Sequence, residues 1–124
     1  MMIPENCGVL VVEDEPLVAL MIEDMLRDMG GAQIHVAHDQ DSARASLEQH
    51  APRLAVMDFN LGQNDSMSLV DACRGRGIAV IIASGYSADD LPLEVRTLPL
   101  LPKPFSFEQM SDAIAAALFG SGSA

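Results

Sequence analysis

A chain of 124 residues with 49% hydrophobic and 20% charged side chains has the size and composition of one globular core, not of a disordered segment. Its net charge of −11, from 18 acidic side chains against seven basic ones, argues against nucleic-acid and phospholipid partners, whose non-specific grip depends on Lys and Arg. Apolar runs such as residues 78–83 are too short to cross a bilayer, MMIPENCG lacks a basic region followed by a long apolar stretch so that no secretory signal is expected, and Cys7 and Cys73 form no CxxC pattern. The expectation is a cytoplasmic protein with reduced thiols that binds neither nucleic acid nor membrane.

VLVVE (9–13) is a continuous β-branched and apolar run, which predicts a strand buried on both faces. DEPLVALMIEDMLRDMGG (14–31) predicts the first helix. Pro16 suits its first turn, Glu23, Asp24, Arg27 and Asp28 form a polar face, and Gly30-Gly31 stops it. Met21, Met25 and Met29 recur there at helical spacing and read as core packing. QIHVA (33–37) reads as a second strand, DQDSARASLEQH (39–50) as a helix with an Asp cap, and LAVMD (54–58) as a third strand. FNLGQN has no periodicity and reads as loop, after which Asp65 caps a third helix through Leu69, Val70 and Cys73. IAVIIAS (78–84) predicts strand four, GYSADDLPLEV a loop with at most a short, Pro-interrupted helix, and TLPLLP a short fifth strand. Ser106 and Gln109 fit a capping box opening a last helix, with Met110, Ile114, Ala117 and Leu118 on one face.

Five strands alternating with five helical segments imply an α/β fold with parallel pairing, right-handed crossovers and helices on both faces of one sheet. One domain is expected over residues 1–124, with its core at about 8–118 and a flexible tail at 119–124. Ligands of such sheets bind outside the carboxyl ends of the strands. Those ends carry Glu13, Asp14 and Glu15 after strand one, Asp58 after strand three, Ser84 after strand four and Lys103 after strand five. Lys103 is the only lysine, and it stands between Pro102 and Pro104. Clustered Glu13, Asp14 and Asp58 repel one another unless a cation or proton intervenes, and hard oxygen ligands suit Mg²⁺. An aspartate beside Mg²⁺ can attack phosphorus, with Ser84 and Lys103 placed to hold phosphoryl oxygens.

The sequence resembles the receiver domains of bacterial two-component response regulators. VLVVEDE is similar to the family's first-strand acidic motif, AVMDFNLG to its phosphoacceptor strand and loop, IIASGY to its strand-four Thr/Ser motif, and LLPKPF to its Lys-Pro motif. The motifs come in the family's order, and the likeness runs from about residue 8 to 118. It implies a doubly wound, flavodoxin-like (βα)5 sheet with strand order 2-1-3-4-5. It also implies that Asp58 accepts a phosphoryl group from a sensor histidine kinase or a histidine phosphotransfer protein. Asp14 would bind Mg²⁺ directly, Glu13 through water, and Asn60 through its backbone carbonyl. Ser84 and Lys103 would contact phosphoryl oxygens, and Pro104 would follow the lysine in cis. Such a protein is a switch that catalyses its own phosphoryl transfer and slow dephosphorylation, with output by protein–protein interaction or phosphorelay.

Two features depart from the usual pattern. Leu100 stands where active receivers carry an aromatic or histidine switch residue, three positions before the lysine. ASGY and DFNLG are similar to the FAT GUY subgroup, but Ile82 and Ser84 replace its Phe and Thr. The switch is therefore expected in residues 84–92, with Tyr86 as its candidate.

Other readings compete. Asp14 or Glu15 could be simple helix caps and Asp58 a turn residue. A Mg²⁺-dependent phosphatase of the haloacid-dehalogenase type uses similar residues, but its nucleophile lies on the first strand and its acidic pair comes last. A flavodoxin-like nucleotide or flavin binder needs a phosphate-cradling loop where EDEP stands. A receiver-like docking domain acting without phosphorylation remains the fourth reading.

Overall fold

The computed structural model describes residues 3–61, 64–85 and 88–120. Its sheet is built from β1 (Val9–Val12), β2 (Ile34–Ala37), β3 (Leu54–Asp58), β4 (Ala79–Ser84) and β5 (Leu100–Pro102). All neighbours pair in parallel, in the order β2-β1-β3-β4-β5. The helices between them are α1 (Pro16–Asp28), α2 (Gln40–His50), α3 (Met67–Gly75), α4 (Leu93–Arg96) and α5 (Phe107–Phe119). This is the expected flavodoxin-like arrangement.

Alternation along the strands divides the core into two layers. Leu10, Val12, Ala55, Met57, Val80 and Ile82 pack against α2, α3 and α4. Val9, Val11, Val56, Ile81 and Leu101 pack against α1 and α5 through Ile22, Leu26, Met110 and Ile114. The central strands β1 and β3 are buried on both faces, which is why their sequences read as unbroken apolar runs.

Helix ends follow local chemistry. Pro16 opens α1, Asp39 and Ser42 close a reciprocal capping box on α2, and Ser106 and Gln109 do the same for α5. Ala51 ends α2 at φ 44, a left-handed conformation that costs an L side chain energy.

Four details differ from the sequence reading. Residues 60–61 and 64–65 form a two-residue antiparallel ladder where a plain loop was expected. Ser66 takes the N-cap position of α3, while the Asp65 carboxylate still accepts the Met67 N–H at 3.0 Å. The methionine stripe is only partly core: Met29 is buried, Met25 half-buried, and Met21 exposed. Helix α5 extends through Phe119, one residue into the expected tail; residues 121–124 lie outside the described ones.

Candidate functional site

β1 runs past Val12 into Glu13, whose N–H still donates to the Ala37 carbonyl at 3.0 Å. The Glu13 side chain is fully buried at the carboxyl end of the sheet, and its Oε2 accepts the Glu15 N–H at 3.2 Å. Asp58 ends β3 two strands from the β2 edge, with a side chain only 11% exposed. Its Oδ1 accepts the Asn60 N–H at 3.2 Å, which ties the carboxylate to the turn that follows.

Lys103 reaches this pair from the end of β5. Its N–H donates to the Ser84 carbonyl at 3.0 Å, so the β4–β5 ladder sets both residues side by side. The peptide from Lys103 to Pro104 is cis, as the resemblance implied. Its Nζ donates to Glu13 Oε1 at 2.6 Å and to Asp58 Oδ2 at 3.1 Å. One ammonium therefore bridges two carboxylates from different strands. Burial pushes the Glu13 carboxyl above its ordinary pKa, with the Lys103 and Glu15 hydrogen bonds opposing and the Asp58 charge adding to it. Burial acts against the Lys103 ammonium too, but its hydrogen bonds to Glu13 and Asp58 prevail and raise its pKa.

Asp14 is exposed beside them, and Glu13, Asp14 and Asp58 each offer an oxygen within 4.8 Å of the others. Three hard oxygen donors, two of them shielded and one open to water, fit a Mg²⁺ ion that keeps part of its hydration shell. Ser84 is buried at the same rim. The structure thus gathers Glu13, Asp14, Asp58, Ser84 and Lys103, and it places Asn60 next to Asp58. Tyr86 lies outside the described residues. Leu100 is half-buried and packs against the α2 and α3 layer.

Two supports were not legible in the sequence. Ser66, fully buried, donates its hydroxyl to the Asp58 carbonyl at 2.6 Å and so anchors the end of β3 to the start of α3. His38 Nδ1 lies 3.0 Å from the Glu13 carbonyl. Farther out, Arg96 donates to the Leu91 and Asp89 carbonyls at 2.8 and 2.7 Å, clamping the segment between β4 and α4. Side-chain bonds to a distant backbone carry no sequence signature, so only a capping pattern could have hinted at Ser66.

Comparison with known proteins gives the same picture. Residues 9–115 match the family described as response regulator receiver domain. A transcriptional regulatory protein, PdtaR of Mycobacterium tuberculosis, is 30% identical over 114 residues, spanning 89% of this chain and 56% of that protein. The chain therefore spans little more than half of PdtaR's length. A probable chemotaxis protein, CheY of Rhizobium etli, is 31% identical over 129 residues, spanning 97% of this chain and 98% of that one. Among solved structures, SdrG from Sphingomonas melonis superposes with a TM-score of 0.81 at 34% identity, covering 90% of this chain and 96% of that one. A BeF3-activated conformation of SdrG superposes with the same TM-score, at 32% identity.

Proposed function

The chain belongs to the response regulator receiver domain family, and from that premise we propose that it is a phosphorylation-dependent signalling switch whose phosphoryl group is carried on Asp58. The observation that supports this reading is the Lys103 ammonium bonded at once to Glu13 and Asp58, beside Asp14. A carboxylate at a strand end can be a turn residue, but a turn residue needs no ammonium from two strands away.

The chemistry follows from the positions. An Asp58 carboxylate oxygen attacks the phosphorus of a phosphohistidine on a sensor kinase or a histidine phosphotransfer protein. The new O–P bond forms as the P–N bond breaks, and its electron pair returns to the imidazole nitrogen. Water later cleaves the acyl phosphate, releasing phosphate and restoring the carboxylate. Glu13, Asp14, Asp58 and the Asn60 backbone carbonyl are the groups to hold Mg²⁺, which when bound neutralises charge on the phosphoryl oxygens. Once Asp58 is phosphorylated, Lys103 exchanges its contact with the Asp58 carboxylate for a phosphoryl oxygen, and the Ser84 hydroxyl donates to another. The rest of the reading is output by protein–protein contact or onward relay.

A donor needs somewhere to dock. Leu17, Leu20 and Met21 are exposed on α1, which starts at the rim, and Phe107 is exposed at the start of α5 on the same face of the sheet. Apolar groups beside an acidic cleft are suited to hold a helical donor while its imidazole enters. The test is incubation with a small acyl phosphate. The chain should gain one phosphoryl group by intact mass, only with Mg²⁺, and Asp58→Asn should gain none. Equal labelling of Asp58→Asn would refute the assignment.

A further inference from the structure

Among the described residues, four of the seven cationic side chains make hydrogen bonds within the chain. Arg27 pairs with Glu23 at 2.7 Å, Arg44 donates to Ser68 at 2.9 Å, Arg96 clamps two carbonyls, and Lys103 bridges Glu13 and Asp58. The other three, Arg53, Arg74 and Arg76, gather at the opposite end of the sheet. Arg53 immediately precedes β3, and its carbonyl accepts the Ala79 N–H at 3.1 Å. Arg74 lies in the last turn of α3, and Arg76 in the turn that leads into β4.

Among the described residues, the Arg53 and Arg74 guanidinium groups make no ion pair or hydrogen bond. Arg76 approaches Glu48 only at 3.9 Å, with both side chains exposed, a contact of negligible worth. Arg74 and Arg76 also face the carbonyl end of α3, where positive charge is favourable. Arg53 has no such role. A cleft of about 280 Å³ opens between the α2–β3 and α3–β4 turns, lined by Arg53 and Arg76 together with Leu47, Pro52 and Ile78. Ile78 also lines the neighbouring cleft that Arg74 borders.

We propose that this cleft docks an acidic segment of a partner protein, one carrying an apolar side chain next to a carboxylate. Charge complementarity selects the occupant. On a chain of net charge −11, exposed arginines gathered at one end form the surface that attracts carboxylates, and guanidinium forks hold them with paired hydrogen bonds. Leu47, Pro52 and Ile78, themselves nearly buried, give the cleft a shallow apolar floor, which favours a peptide over a bare anion. The cleft lies at the opposite end of the strands from Asp58, so a partner held there leaves the acidic rim open. The proposal stands apart from the phosphoryl chemistry, and its test uses unphosphorylated protein.

The probe is an acetylated six-residue peptide of alternating Glu and Leu, titrated into the ¹⁵N-labelled chain. Saturable shifts should appear at the amides of residues 51, 53 and 76–78. Arg53→Gln and Arg76→Gln should each weaken binding about tenfold, the loss of one charge-assisted hydrogen bond. Both side chains are exposed, and an unchanged spectrum elsewhere shows that the variants fold. No shifts at these amides would overturn the proposal. So would equal shifts from the matched Lys-Leu peptide, equal shifts from inorganic phosphate, or unchanged affinity in both variants.

Discussion

Lys103→Ala removes an ammonium from between two carboxylates, and its cost can be worked from the geometry. Glu13 and Asp58 offer oxygens within 4.8 Å of each other. At an effective dielectric of about 20, two unit charges at that spacing repel by about 3.5 kcal/mol. Screening is weak, because the Glu13 side chain is 0% exposed and that of Lys103 only 20%. Removing one partner of a buried ion pair typically costs about 3–5 kcal/mol, in agreement. The variant should therefore lose about 3 kcal/mol at pH 8 in metal-free buffer, roughly 10 °C in Tm for a chain of this length. The pH dependence separates charge from packing. Burial already raises the pKa of Glu13, and without the ammonium it rises further. A carboxyl raised in the folded state favours folding below its unfolded pKa and loses that contribution as pH climbs through the folded value. The deficit should thus be largest at pH 8 and smaller at pH 5, because lower pH favours the protonated Glu13 carboxyl. Urea unfolding of wild type, Lys103→Ala and Lys103→Met at both pH values measures it, the Met variant keeping the apolar stem. Equal deficits at pH 5 and pH 8 in both variants would show that the loss is packing and would refute the reasoning.

Three further outcomes are expected. Mg²⁺ at a hundred times its dissociation constant should stabilise the chain by about 2.7 kcal/mol, and Asp14→Ala should remove most of that gain in paired thermal melts. Ala51→Gly should stabilise by about 0.5–1 kcal/mol in urea unfolding, because glycine adopts φ 44 without a Cβ penalty. Cys73, with its thiol pushed up to about 11 by burial, should react with alkylating reagents at pH 8 only as fast as the chain unfolds. Stability should then fall as pH rises from the ordinary thiol range through that value, since the folded state holds the proton longer.

Much of the fold and of the candidate site was legible because both rest on local signals. β3 spans the five residues of LAVMD, and both capping boxes are closed by residues three apart. The site residues could be gathered on paper because a parallel sheet brings the residue after each strand to one rim, and Glu13, Asp58, Ser84 and Lys103 stand there. What escaped depends on distance in space. A two-residue ladder at 60–61 and 64–65 is too short to leave a period. The Ser66 hydroxyl and the Arg96 clamp bond to backbone carbonyls, which every residue has, so no residue pair marks them. Met21, Met25 and Met29 are spaced by four, which drifts about 40° per step around a helix of 3.6 residues per turn, so Met29 falls on the buried face with Ile22 and Leu26 while Met21 falls off it.

The central claim is that Asp58 carries the phosphoryl group, and chemical trapping tests it most directly. Borohydride reduces an acyl phosphate to an alcohol, converting a phosphorylated aspartate into homoserine. After treatment with a small acyl phosphate and Mg²⁺, then borohydride, peptide mass spectrometry should find homoserine at position 58 and at no other aspartate. Reduction at Asp14 instead, or a chain that gains phosphate with Asp58 unreduced, would contradict the account.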